Sequence, residues 1–348
     1  MSRTLVWRSR SDRWSVRVQP MVVSVVLALA SLLCLSALVS LSLGSYPTPV
    51  VEVLQALSGS GDLSGTRLIL LEIRLPRILM AILAGGALGL AGLLLQGLVQ
   101  NPLASPDVIG ITSGASAAAV LALWLTGSAG GTPVLVPAAI GGALLVTALM
   151  VLLSWRGGVS PTRLVLIGVG LAAGLSAVTT LILVISPDAT AMTAYIWLTG
   201  SLYAAGWQDV YGLAPVVFAG LAVALVVARH LDLHALGGDL SLALGSSLNR
   251  QRLVHLLLAV VLAGGAVAYA GALSFIGLLA PHMARRIIRT GHGGLAVISA
   301  LLGALILLWA DLAGRLLFIP RDMPAGLFVA GVGAPFFVYL LYRLRRRS

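Results

Sequence analysis

The sequence predicts an all-α polytopic membrane protein of about ten transmembrane helices, and three observations carry that prediction. Hydrophobic residues make up 59% of the 348 positions and charged residues only 9%, whereas soluble domains run about 45–50% apolar and about 25% charged. Mean hydropathy is +1.04. The apolar residues fall into runs near the roughly 20-residue length that crosses a hydrocarbon core, with short polar connections between them.

Taken in order, the expected spans are 21–43, 76–98, 108–125, 135–154, 164–185, 212–229, 252–271, 274–289, 295–313 and 324–342. Residues 1–20 and 343–348 are expected as basic cytoplasmic tails around a 21–342 membrane domain. The first run is too long for the core of a signal peptide and is followed by no clear cleavage site. It contains the chain's single cysteine, Cys34, expected as a small buried hydrophobe.

The net charge of +11 comes from 22 arginines, with no lysine, against 11 acidic residues. With the amino terminus inside and an even number of spans, both termini are cytoplasmic and seventeen of the 22 arginines fall on that side, as the positive-inside tendency requires. That reading replaces nucleic-acid binding as the explanation of the basic excess. Five arginines remain outside: Arg67, Arg74, Arg77, Arg315 and Arg321. Either their long side chains snorkel at helix ends, or they cluster around one mouth as a docking surface for an acidic partner. Asp311, four residues before Arg315, is expected to pair with it.

The outer stretch 44–73 brings Val50, Val53, Leu54 and Leu57 to helical spacing and reads as an amphipathic surface segment. In 186–211, Tyr195, Trp197, Tyr203 and Trp207 read either as interfacial anchors or as a vestibule wall facing a bulky substrate. Glycines recur within spans at Gly85, Gly86, Gly89 and Gly92, and again at Gly168, Gly170 and Gly174; small residues at that spacing let helices approach closely in lipid. In NPLASPD (101–107) two prolines forbid continuous helix, and Asn101 and Asp107 can bond the freed backbone groups. Pro281 precedes His282 and marks a kinked helix end.

Enzyme chemistry is not legible. No Cys/His/carboxylate cluster has metal-ligand spacing, no serine-elbow motif occurs, and no lysine exists to complete a phosphate loop. No catalytic residue, metal ligand or bound cofactor is expected in this chain. All five histidines fall toward the inner face rather than at mid-membrane, which argues against a proton-coupled carrier. An energy source would therefore attach from outside the chain, and the inner loop at about 230–251 offers a place. Asp239 is a candidate N-cap. Leu240, Ala243, Leu244 and Leu248 then share one face of a short helix, which needs either a partner or the lipid headgroups to cover it.

These motifs carry a resemblance. RLPR (74–77), NPLASPDVIG (101–110), LALG (242–245), SFIGLLAPHMARR (274–286), ADLAGR (310–315), MPAG (323–326) and GAPFFVYLL (333–341) stand in an order similar to the permease subunits of iron-siderophore, haem and cobalamin ABC importers. SPDVIG with APHMARR most resembles the branch for catecholate, enterobactin-type siderophores. MPAG departs from the family's leucine-proline start.

The resemblance implies a ferric-siderophore importer permease in a bacterial cytoplasmic (inner) membrane. Haem or cobalamin is the alternative cargo, and an ion-driven carrier or channel the rival class. It further implies a second permease subunit, a sister chain in preference to an identical one. Two ATPase subunits would carry ATP and Mg, and a periplasmic or lipid-anchored binding protein would dock outside. By position it assigns docking to Arg74, Arg77 and Arg315. ATPase coupling falls to Asp239, Leu240, Ala243, Leu244, Gly245 and Leu248. The pathway and inner gate fall to Ser160, Pro161 and Thr162 and to the fifth span with Gly168, Gly170 and Gly174.

Overall fold

The computed structural model describes residues 5–8, 15–44, 46–59, 64–127, 131–156, 158, 160–235, 241, 243 and 247–345. Among these, every expected span falls on a helix: α1 (Pro20–Ser42), α4 (Leu75–Val99), α5 (Ile111–Thr126), α6 (Gly131–Ser154), α7 (Pro161–Ile185), α9 (Trp207–His234), α10 (Leu248–Ala270), α11 (Ile276–Ile287), α12 (His292–Leu316) and α13 (Ala325–Arg345). Between them lie α2 (Val50–Ser58), α3 (Ser64–Leu68) and α8 (Asp188–Leu198). Eight helices are long and apolar enough to cross a membrane; α5 is a shorter apolar helix. The expected span 274–289 is the 12-residue α11, which at 1.5 Å per residue is about 18 Å long and cannot cross alone. The basic amino-terminal segment contains a two-stranded antiparallel ladder, β1 (Leu5–Arg8) with β2 (Ser15–Val18), pairing Leu5 with Val18.

The bundle is built around α4, which is buried along nearly its whole length. Its glycines make this possible. A Cβ at Gly85, Gly89 or Gly92 would run into the backbone carbonyl of Gly303, Ser299 or Gly277. With no side chain between them, α4 packs backbone against α12 and α11. α1 lies outside α12, joined by the Trp309 indole N–H, which donates to Ser36 Oγ at 3.1 Å. α1 and α7 are the least buried of the long apolar helices. Cys34 is exposed on α1, because α1 buries only Leu33, Ser36, Ser40 and Leu41; the expectation that it is buried fails.

The start of α4 is prepared by a π-helical turn, Ile69–Arg74. In regular helix the Pro76 ring would clash with the carbonyl four residues back. The wide turn removes that clash, with the Leu75 N–H bonding the Leu70 carbonyl instead. In the 44–73 stretch α2 forms as expected, but Val53 and Ala56 are its buried residues while Val50, Leu54 and Leu57 stay exposed. Trp207 is committed rather than merely interfacial: its indole donates to the Leu71 carbonyl at 3.0 Å.

The 101–110 turn meets the break before α11. The Leu103 N–H donates to Asn101 Oδ1 at 3.0 Å, and the Phe275 N–H donates to Asp107 Oδ2 at 3.4 Å. Phe275 has φ +65°, a conformation that needs outside support in a non-glycine residue. Asp107 supplies it while closing the amino end of α11. Gly110, at φ +94°, lies against the Gly168 carbonyl of α7, where a left-handed turn and a close approach coincide.

Candidate functional site: a guanidinium–carboxylate mouth and the opposite end of the bundle

Arg74, Arg77 and Arg315 come together at one end of the bundle, lining a cavity of about 390 Å³ with Tyr203, Arg321 and Asp322. They are turned inward rather than outward as a snorkelling or free docking surface would be: all three are buried. The cause is the polar partners waiting there. Arg74 donates to the Leu41 carbonyl at 2.6 Å and to the Tyr46 carbonyl, answering the last turn of α1, where carbonyls lack helical partners.

Arg77 donates through Nε and Nη2 to Asp311 Oδ1 at 2.9 and 2.8 Å. It also reaches Asp322, with Nη1 to Oδ2 at 2.5 Å and Nη2 to Oδ1 at 3.0 Å. Tyr203 lies over the same guanidinium, its ring centroid 6.0 Å away. Arg315 forms the expected i,i+4 pair with Asp311, Nε to Oδ2 at 3.1 Å, and bonds Ser40 of α1. Asp311, at 0% exposure, is thus a carboxylate wedged between two guanidiniums, the arrangement a buried charge requires. Three guanidiniums meet two carboxylates, leaving one positive charge in excess, and exposed Arg321 adds a second on the rim. Asp322 and Ser40 escaped the sequence reading because no spacing rule links loop 317–324 or α1 to residue 77.

At the opposite end, polar side chains hold the last turn of α9. Gln100 adopts φ +55° and donates through Nε2 to the His234 carbonyl. His234 Nε2 meets Gln251 Oε1 at 3.0 Å, and His292 Nδ1 meets Asp232 Oδ1 at 2.7 Å. Ser241 donates to the Leu233 carbonyl at 2.8 Å. These anchors flank the expected coupling segment. Of its residues, Ala243 is exposed and Leu248 begins α10; Asp239, Leu240, Leu244 and Gly245 lie outside the described residues.

On α7, Ser160 is the N-cap residue without a side-chain capping bond, and Pro161 takes the first helical position, where its missing N–H costs nothing. Thr162 is exposed. The expected tight packing holds for Gly168, set against the Ile109 carbonyl and Met150 Sδ, but fails for Gly170 and Gly174, which have open space where a Cβ would go. With Leu166, Val169, Leu181 and Val184 they form an uncovered apolar face. No group of three or more His, Cys, Asp or Glu among the described residues could hold a metal ion.

Residues 32–343 match the FecCD transport family. The chain is 44% identical, over 99% of its length and 98% of theirs, to the achromobactin transport system permease protein CbrC of Dickeya dadantii. It is 40% identical to the ferric enterobactin transport system permease protein FepG of Escherichia coli, covering 92% of this chain and 96% of that one. Among solved structures it matches an inward-facing metal-chelate type ABC transporter with a TM-score of 0.80 and 28% identity, covering 92% of this chain and 99% of that chain.

Proposed function

The chain belongs to the FecCD transport family, and on that premise we propose that it is the permease subunit of an ATP-driven importer carrying a ferric siderophore across the bacterial inner membrane. The observation that carries this is the 44% identity, over nearly the full length of both chains, to an achromobactin transport system permease protein, beside 41% identity to a probable siderophore transport system permease protein of Bacillus subtilis. In this reading the protein supplies the path and the lever, and two separate ATPase subunits bind ATP and Mg and hydrolyse the nucleotide. In this reading the Arg74–Arg77–Arg315 mouth faces outward, because the expected topology assigns seventeen of the 22 arginines to the cytoplasmic side.

The mouth fits a binding protein with acidic residues. Its excess charge steers such a partner, while Arg77 and Arg315, held by Asp311, give it a fixed floor. The uncovered α7 face fits a second permease subunit, a sister chain by preference, with the pathway between the two. Gly170 and Gly174 stand on that face, and Ser160 to Thr162 stand at its inner end. The 236–246 segment, rooted on α9 and α10, is the part an ATPase would move.

The test is reconstitution in liposomes of this chain with its co-purifying permease, ATPase and binding protein. Uptake of radiolabelled iron as a ferric catecholate or carboxylate siderophore should require ATP. Uptake by the chain alone, without the ATPase, would refute the reading in favour of a channel or ion-driven carrier.

A further inference from the structure

A second cavity, of about 450 Å³, opens at the other end of the bundle between the start of α1 and the end of α11. It is lined by Gln19, Met21, Arg285, Arg286, Ile288 and Arg289, together with Ile287. Three guanidiniums occupy five consecutive positions, and among the described residues no carboxylate lines the cavity. Arg285 is positioned by Gln96 of α4, whose Oε1 accepts from its Nη1; Gln96 is itself buried and donates to the Gly277 carbonyl at 3.4 Å. Arg286 and Arg289 are exposed and make no hydrogen bond or ion pair with any described residue.

Like charges this close repel: Arg285 and Arg286 stand in the last turn of α11, and Arg289 follows two residues past its end. The carboxyl end of α11 offsets only about half an elementary charge, and among the described residues the cluster has no counter-anion. The surroundings say which anion fits. Met21 is 57% exposed and stands one residue inside the membrane-crossing helix α1, whose other apolar residues Leu27, Leu32 and Leu35 are also exposed. The cavity therefore sits where hydrocarbon gives way to water, with the arginines and Ile287 and Ile288 on one wall and Gln19 and Met21 on the other. A phosphate tied to acyl chains matches both the arginines and the apolar side chains; a free phosphate matches only the arginines.

We propose that this cavity binds the phosphate of an anionic phospholipid headgroup, with Arg286 and Arg289 gripping its oxygens beside the Gln96-held Arg285. Guanidinium is suited to this because its planar fork bonds phosphate oxygens two at a time. The bound lipid seats the start of α1 against α11.

The test uses the full chain with its co-purifying subunits, delipidated in neutral detergent. Native mass spectrometry then follows titration with phosphatidylglycerol, cardiolipin, phosphatidylcholine or inorganic phosphate. Wild type should retain the two anionic lipids in preference to phosphatidylcholine. Arg286→Gln with Arg289→Gln should weaken that retention by roughly tenfold or more, and Arg286→Lys with Arg289→Lys should restore part of it. Arg163→Gln, a charge loss at the same end on α7, should leave retention unchanged. Equal retention of charged and neutral lipid, or undiminished retention in the glutamine variant, overturns the proposal. Displacement of lipid by equimolar inorganic phosphate overturns it in favour of a free anion. Loss of the ATPase from the glutamine variant with lipid still bound overturns it in favour of a protein contact.

Discussion

Arg77 and Asp311 stand 234 positions apart in the chain, yet the guanidinium of one donates twice to the carboxylate of the other, the shorter bond being 2.8 Å. This pair fastens the first turn of α4 to the last two turns of α12. Through Asp322 and Arg315 it also holds the 317–324 loop and α1.

Asp311→Asn should therefore be among the most damaging changes at the mouth. It leaves two buried guanidiniums without their shared counter-charge, a loss of about 3–5 kcal/mol for a broken buried pair. Asp322→Asn, whose carboxylate is 25% exposed, should cost no more than about 1 kcal/mol, as partly solvated pairs do. Thermal unfolding of the two variants in detergent separates them, and equal losses would show that Asp311 is not the wedge described.

Docking strength should follow the rim rather than the floor. Arg321→Glu reverses an exposed charge and should weaken association with a binding protein of the proposed acidic kind at low salt, with the difference shrinking as ionic strength rises. Reversing Arg74, Arg77 and Arg315 together should instead lower the yield of folded protein, because all three are buried in internal contacts. Binding measured at two salt concentrations, beside folded yield, checks both expectations.

Glycines in two helices should answer oppositely to enlargement. Gly92→Ala places a methyl against the Gly277 carbonyl and should destabilise the chain by about 1–3 kcal/mol, the usual cost of overpacking. Gly170→Leu with Gly174→Leu places Cβ atoms where nothing lies within 4 Å, on a face left uncovered, so the chain's own melting temperature should hold. If a second permease packs there, that variant should lose it in co-purification; undiminished capture would remove α7 from the subunit interface.

Leu244→Asp should abolish ATP-dependent uptake while membrane insertion stays normal. The argument is one of sequence: a charge beside Leu240 and Ala243 on the expected apolar face denies an ATPase groove its apolar contact. Uptake in reconstituted liposomes, beside protease protection of the inserted chain, decides it.

Much of the fold was legible because hydropathy in a membrane chain is nearly a map of its helices: all ten expected spans fall on helices, and the Asp311–Arg315 pair followed from its four-residue spacing. What escaped is what depends on the third dimension. Spacing along one helix does not say that Asp322 will reach Arg77, or that Arg74 will turn inward to bond the Leu41 and Tyr46 carbonyls. Nor does a glycine announce its neighbours. Gly92 and Gly174 look alike in sequence, and only the packing shows one pressed against a backbone and the other uncovered. Cys34 misled for the same reason, since a uniformly apolar α1 carries no mark of which side faces lipid.

The glycine-lined contact of α4 with α12 gives the bundle a keel. Each helix has 25 residues, about 37 Å at 1.5 Å per residue, with carbonyls filling the space where side chains would slide. One end grips Asp232 of α9 through His292, and the other grips Asp322 through Arg77. Such a pair has little freedom to shear, so the two ends of the bundle are held in fixed register with one another. The helices outside that keel, α1 and α7, are the least covered of the long apolar helices and have the least holding them in place.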